Sequence, residues 1–423
     1  MLSATPTYSM IYPNETFTKA ETLSSIRYPT GGKVFFTYEQ NKYSQYVTDD
    51  QHSLNSGSGY AGGLRVSSVR LTDADNQTIS RTLYHYVKGF NSTVSSGILG
   101  ERPSFCYKLK LDDNSEMRNS YLEIKSQGGF WPTTNNSSSP VVGYSTVIEE
   151  LQDKNGVTCG YIKYSFSNYD TDIYGNPHPD DSAYYHTYAL NEVLSTTHAY
   201  TSRSCERGRL LEKAYYDKDG TNMVKKVNYR YANTGSQYLT TSYQRWIYFP
   251  YHSTYIYPMG WLARTYTYAC LKATDTDTLY APIGGTAYST MTHYTYNSHK
   301  LPSSLHELTS KGGERVTTLL YPSDFSQYGW MTNAHILSPL VRKTVSEEGK
   351  SVSESYEYAS RSGVPYVSKG THIYNGTATK TLFQVNVADA YGNPVEIEAD
   401  GMRSVLFWGR KGQLFLGHID NMS

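Results

Sequence analysis

The residues best placed to do chemistry are few, and each set breaks at a nameable position. His306-Glu307 opens like the His-Glu-x-x-His phrase that puts two zinc ligands on one helix face, but Ser310 stands where the second histidine must be. The other histidines are dispersed singly. His293 lies in a strand-like run and His335 in a short helical stretch, where packing or capping is the ordinary role. Paired carboxylates are the usual route to hydrolysis. Asp112-Asp113, Glu149-Glu150, Asp180-Asp181 and Glu347-Glu348 are adjacent pairs, and neighbours on a strand point to opposite faces. Asp170–Asp181 combines oxygen ligands with a tight turn, which leaves a Ca²⁺ loop and a solvated acidic turn as alternatives. No Gly-x-Ser-x-Gly elbow, phosphate-binding loop or EF-hand pattern occurs. No catalytic, cofactor or metal residue is assigned, and the chain is expected not to be an enzyme.

Cys106, Cys159, Cys205 and Cys270 are widely spaced and form no Cys-x-x-Cys pair, which argues against a zinc site. Disulfides and free thiols are both open. Charged residues make up 18% of the 423-residue chain against roughly 25% in a typical soluble domain, and formal net charge is +0. Without a basic or acidic block, neither nucleic acid nor an anionic membrane surface is implied as a partner. No run approaches the ~18 apolar residues of a membrane span. Aliphatic residues are scarce, and 43 tyrosines supply the missing buried surface. Each tyrosine buries on the order of 150–250 Å² while its hydroxyl seeks a partner.

The elements that must position these residues are strands. Leu210–Ala232 reads LLEKAYYDKDGTNMVKKVNYRYA: a run ending in aromatics, a polar turn, then a second run closing on Tyr-x-Tyr. The same shape returns at Leu23–Glu39, Leu64–Val87, Tyr144–Asn168, Met291–Tyr321, Leu340–Ala359 and Tyr391–Trp408, and such recurrence marks units that stack on their neighbours. Alternation with period 2 places Met223, Lys225, Val227, Tyr229 and Tyr231 on one face. Hairpin tips are expected at Pro29–Gly32, Asp73–Asn76, Asp153–Gly156, Asp217–Gly220, Ser310–Gly313 and Glu347–Lys350. The Tyr-x-Tyr endings (Tyr84, Tyr86; Tyr229, Tyr231; Tyr266, Tyr268; Tyr294, Tyr296; Tyr356, Tyr358) follow the repeat, which suits a structural role better than a sugar-binding platform. Gln51–Gly63 and Gly128–Pro140 read as Ser-, Asn- and Gly-rich surface loops, and Tyr169–Tyr185 as a turn-rich excursion. One short helix is expected around Tyr328–Leu337, stopped by Ser338-Pro339.

The hairpin phrase, with Tyr216-Asp217-Lys218-Asp219-Gly220, resembles the YD repeat of bacterial RHS and teneurin-like proteins. Asp389-Ala390-Tyr391-Gly392-Asn393, followed by Val405–Gly409, is similar to that family's Asp-x-Tyr-Gly-Asn phrase. Tyr60–Val69 is similar to a segment upstream of repeats in large bacterial surface members. The resemblance covers most of the chain through degenerate repeats. It implies an all-β array of antiparallel hairpins forming a long curved sheet or part of a β-shell. Residues 1–200 would be a β-rich segment with degenerate repeats, and 201–423 the repeat array proper. It also implies an exported bacterial protein, extracellular or on the cell surface, whose wall encloses a toxin or displays another domain. The family's Asp-Pro-x-Gly self-cleavage region has no match before Ser423, so the expected role is a non-catalytic wall segment.

The alternative is a carbohydrate-binding or adhesive module in which Trp131, Trp246, Trp261 or Trp330 stacks on sugar rings; a β-rich glycoside hydrolase would need two convergent carboxylates. Met1–Pro6 lacks the basic start and apolar core of a signal peptide, and reads as a start inside a longer polypeptide. Val405–Gly409 and Leu414–Leu416 are the most apolar stretch, so docking on a neighbouring domain of that polypeptide, or self-association, is expected there. No cofactor is expected.

Overall fold

A computed structural model of the chain describes residues 2–7, 14–47, 53–100, 106–111, 120–125, 142–173, 185–186, 203–233, 237–248, 256–280, 287–308 and 312–420. Those residues are all-β apart from short helical turns, and the strand pairings are antiparallel save one. Contacts divide the chain into two units, 1–272 with 277–288, and 273–276 with 289–423.

In the first unit, Ser25–Arg27, Lys33–Val47, Leu54–Thr72, Thr78–His85, Thr146–Gln152, Thr158–Phe166, Leu210–Tyr216 and Met223–Asn233 pair in that order, each antiparallel to the next. Gly97–Leu99 adds in parallel beside Gln45 and Tyr46, and pairs on its other side with Val142–Tyr144. Two three-stranded ribbons complete the unit: Leu2–Thr7 with Cys106–Leu111 and Ser120–Lys125, and Tyr185–His186 with Ile256–Tyr266 and Tyr238–Tyr248. The second unit is a meander. From Tyr288–Tyr296 through Pro302–Leu308, Glu314–Leu320, Arg342–Glu347, Lys350–Arg361, Val364–Tyr374, Ala378–Ala388, Pro394–Ala399 and Met402–Gly409 to Leu414–Asp420, each strand pairs with the next.

Six of the seven recurring phrases are single hairpins, Met291–Tyr321 holds three paired strands, and one turn chemistry is used repeatedly. The Asp153 carboxylate accepts from the backbone N–H groups of Asn155 and Val157, both at 2.8 Å. Asp73 does the same for Asp75 and Gln77 at 3.0 and 2.8 Å, and Asp389 for Tyr391 and Asn393 at 2.8 and 2.9 Å. Asn297 repeats it with an amide oxygen, at 2.9 Å to His299 and 3.1 Å to Leu301. The Asx side chain thus holds a type I turn whose fourth residue turns left-handed, such as Gly156 at φ 80°. Asp217 works one residue further out, on Thr221 and Asn222. The Glu348-Gly349 tip uses the two-residue turn with both φ positive, 50° and 75°. Of the Ser310–Gly313 tip, 310 and 311 lie outside the described residues.

A second device explains the tyrosines. In four of the phrases the last tyrosine donates its hydroxyl to a backbone carbonyl near the start of the same phrase. Tyr38 reaches Leu23 at 2.9 Å, Tyr86 reaches Val66 at 2.7 Å, Tyr231 reaches Leu210 at 2.8 Å and Tyr358 reaches Leu340 at 2.9 Å. Each bond latches the open end of a hairpin opposite its tip, and the ring covers the strand beneath.

Three expectations need correction. Gln51–Gly63 is not a surface loop: from Leu54 onward it is strand, paired with Lys33–Val47 through register shifts. Its glycines sit under aromatic rings, and a Cβ on Gly57 would stand 2.8 Å from the Tyr46 ring, one on Gly59 2.7 Å from the Tyr43 hydroxyl. Glycine here makes room for tyrosine. The helix spans Gly329–Asn333, preceded by 3₁₀ turns at Pro322–Asp324 and Ser326–Tyr328, and ends before Leu337 because His335 turns left-handed at φ 57°. A second helix, Glu15–Thr18, is capped by Asn14, whose side chain accepts from Thr16 and Phe17 N–H. Gly128–Pro140 lies outside the described residues, as does most of Tyr169–Tyr185.

Burial is parcelled out. Among the described residues, small clusters are each built on three buried residues: Val47, Ile98 and Tyr169; Ala61, Leu99 and Val142; Ile173, Tyr268 and Cys270; and Tyr328, Met331 and Val341. Each stabilises its own stretch of ladder, as in repeat architectures where units contact neighbours.

Candidate functional site

The paired carboxylates diverge, as strand geometry requires. Glu149 accepts from the Tyr164 hydroxyl at 3.0 Å, while Glu150 meets His85 at 2.9 Å, Gln152 at 2.8 Å and Thr158 at 2.7 Å. Burial pushes the Glu150 carboxyl up, but hydrogen bonds from Thr158, Gln152 and His85 outweigh it and hold the group below the usual carboxylate value. Glu347 pairs with Arg315 at 2.8 Å, and Glu348 sits in the turn. Asp170 accepts from Ser145 at 2.7 Å; Asp112, Asp113, Asp180 and Asp181 lie outside the described residues. His293 is opposite His306 across adjacent strands, and His306 is held by Glu314 at 2.7 Å and Ser304 at 3.1 Å. Among the described residues no three His, Cys, Asp or Glu side chains gather as a metal site.

Among the described residues, two concave places bring aromatic and charged side chains together. In the first unit a cavity of about 330 Å³ is lined by Lys42, Arg65 and His85, among others. Its Arg65 is clamped: the guanidinium lies 4.4 Å from the Tyr86 ring and 5.1 Å from the Tyr144 ring, with Nε 2.8 Å from Glu39. The two rings are 4.7 Å apart, and the Tyr144 hydroxyl donates to Asn41 at 3.0 Å. Burial pushes both hydroxyls up despite the arginine, so they stay protonated donors. This cluster locks strands from distant parts of the sequence together.

In the second unit a groove of about 370 Å³ runs beside the helical insert. Phe325, Tyr328 and Trp330 form one wall; Arg342, Tyr356 and Glu357 come from the neighbouring strands. Trp330 is 36% exposed, whereas Tyr328 is buried and donates structure rather than surface. The Arg342 guanidinium stands 5.7 Å from the Phe325 ring. Burial and then the charge of Glu354 push the Tyr356 hydroxyl up, which keeps it a donor, 3.4 Å from Glu354. An aromatic wall facing an arginine and a carboxylate can stack and hydrogen-bond a ligand. The side chains of Trp131, Trp246 and Trp261 lie outside what the structure describes, so Trp330 is the sequence-nominated tryptophan that reaches a described site.

Neither place was legible beforehand. The clamp joins Glu39, Arg65, Tyr86 and Tyr144, and only the Tyr-x-Tyr ending at Tyr86 hinted at it. The groove arises because residues 321–341 interrupt the hairpin rhythm, and that break was its signal.

No family model matches the chain, and no curated protein matches it. Solved structures do: one is a crystal structure of a porin-like protein from Bacteroides uniformis, 9% identical, covering 74% of this chain and 86% of that one, with a TM-score of 0.21. That superposition is too shallow to transfer a topology, a pore or a membrane location. Among the described residues no helix is long and apolar enough to cross a membrane, which says nothing of strands. The class that fold and sites define is an all-β, antiparallel hairpin array.

Proposed function

We propose that the chain is a non-catalytic structural and interaction segment of a large exported bacterial RHS/YD-repeat protein, building a β wall that encloses or displays another domain. The observation that carries this reading is the recurrence of two local devices, the Asx-held tip and the tyrosine latch, which close opposite ends of the same hairpin in Leu64–Val87 and Leu210–Ala232 and occur singly in others. Such a unit is closed by its own residues and extended by pairing, which suits a wall. Support also comes from apolar side chains left exposed along the ladder, including Val352, Tyr374, Phe407 and Leu416. A wall with a partner would cover some of them.

Hydrogen exchange on the chain alone and within a longer parent polypeptide tests this. Protection gained around Phe407 and Leu414–Ile419 in the longer protein is the expected result. Identical exchange in both, or turnover of a glycan or peptide substrate by the purified chain, would overturn the proposal. The carbohydrate-binding reading is favoured by one observation, the Trp330 groove. A glycan array in which binding is lost on Trp330→Ala would establish it in place of a purely structural role.

A further inference from the structure

Cys205 and Cys270 are 65 positions apart in sequence and meet in the first unit. Cys205 lies in the 3₁₀ turn Ser204–Glu206; Cys270 opens the strand Cys270–Leu279. Cys270 is buried with Ile173 and Tyr268, and the half-buried Cys205 packs on that cluster together with Tyr231 and Tyr266. Both thiols are free in this structure. We propose that Cys205 and Cys270 are a disulfide-forming pair, with Cys205 the attacking thiol and Cys270 the resolving one.

The surroundings fit that division of roles. The Cys270 thiol in the same cluster holds Cys205 below the ordinary thiol value against burial and the charge of Glu206. Arg209 assists, and its guanidinium is fixed on the Cys205 carbonyl at 3.1 and 2.8 Å. The neighbouring Cys205 thiol, then burial, pushes Cys270 up. Glu206, itself buried, accepts from the Tyr268 hydroxyl. A thiolate-prone sulfur with a cation beside it, half open to solvent, is the arrangement that reacts first. Cys159, by contrast, is exposed and has only its own neighbour's carbonyl, Val157, at 3.6 Å.

The chemistry requires an external disulfide oxidant of the glutathione class. The Cys205 thiolate attacks one sulfur of oxidised glutathione, a mixed disulfide forms, and one reduced glutathione leaves as thiolate. Cys270 then loses its proton to solvent and attacks the Cys205 sulfur, releasing the second glutathione. Once Cys205 is bonded it carries no charge, so the largest influence raising Cys270 disappears at the moment Cys270 must act. Two thiols are oxidised and one disulfide is reduced. The product staples the Ser204–Glu206 turn to the start of the strand Cys270–Leu279, beside Tyr266, which already packs there.

The inference is independent of the proposed function, because it concerns two thiols and an oxidant only. The folded chain is incubated with oxidised and reduced glutathione at an oxidising ratio, quenched in acid and mapped by peptide mass. A Cys205–Cys270 linkage with the loss of two hydrogen atoms is expected. Cys270→Ser should trap one glutathione on Cys205, whereas Cys205→Ser should leave Cys270 unmodified. In the reduced chain, alkylation of Cys205 should run roughly tenfold or more ahead of Cys270. Circular dichroism on the wild type and both variants confirms that folded protein is compared. Cys205 remaining free and alkylatable in the folded wild type, or linking instead to Cys106 or Cys159, would overturn the proposal.

Discussion

Replacing Tyr231 by phenylalanine isolates the latch. The ring packs on the Ile173, Tyr268 and Cys270 cluster, and phenylalanine preserves that packing. What is lost is one half-buried hydroxyl bond of 2.8 Å to the Leu210 carbonyl. A net intramolecular hydrogen bond contributes about 0.5–1.5 kcal/mol, and a partly buried carbonyl left without its partner adds to the cost. The expected loss is about 1–1.5 kcal/mol, which is roughly tenfold in an equilibrium constant. Tyr38→Phe removes the same bond where it is exposed, so water replaces the hydroxyl and the cost should be a few tenths of a kcal/mol. Hydrogen exchange in Leu210–Tyr216 and Met223–Asn233 should therefore accelerate roughly tenfold in the first variant and barely respond in the second. The sign of the pH dependence is also fixed. Burial pushes the Tyr231 hydroxyl up against the charge of Arg209, so its folded value lies above the unfolded one. That contribution is complete below about pH 10 and is lost as pH rises through the folded value. Tyr231→Phe should lose less stability on alkalinisation than the wild type. Equal exchange in both variants, or an unchanged alkaline slope, would refute the latch.

Three further outcomes are expected. Met331 is fully buried against Tyr328 and Val341, so Met331→Ala should cost about 2–4 kcal/mol, with Met331→Leu under about 1.5, by denaturant titration of the second unit. The loss should speed exchange in Arg342–Glu347 and Lys350–Arg361 before Met402–Gly409 and Leu414–Asp420, because the cluster is local; a uniform loss across the meander would mean a shared core. The hydrogen bond from Val157 N–H, ahead of a smaller burial effect, lowers the Asp153 carboxyl, so its contribution is present above the ordinary carboxylate value and lost as pH falls through the depressed one. Asp153→Asn, which copies the turn at Asn297, should keep the hairpin and flatten its response below about pH 4, whereas Asp153→Ala should destabilise the Thr146–Phe166 hairpin at neutral pH, both read by exchange across that hairpin. Tyr144→Phe removes the bonds to Asn41 at 3.0 Å and from Lys42 N–H at 3.2 Å and should cost about 1–2 kcal/mol, measured by thermal unfolding.

Local signals were legible because each hairpin encodes itself. Asp153 and Gly156 bound one four-residue turn, and Tyr231 and Leu210 belong to one phrase, so period, tip and closing tyrosine all lie within a short window. The Tyr-x-Tyr endings follow the repeat and so point to a structural role; the feature that recurs is the hydroxyl bond, which residue spacing alone does not announce. Wherever the structure depends on a remote partner, the same reading failed. Gly57 and Gly59 look like loop residues until Tyr46 and Tyr43 lie over them, and Gly97–Leu99 becomes a strand by pairing with Gln45 and Tyr46, some fifty positions earlier, and with Val142–Tyr144, some forty-five later. The Arg65 clamp and the Cys205–Cys270 pair are of this second kind, as is the Trp330 groove, whose walls come from an insert and from the strands that follow it. A chain built from self-closing units can vary those long-range contacts without losing its hairpins. Binding and redox properties should therefore sit at the remote contacts, and substitutions there should change interactions while leaving the ladder folded.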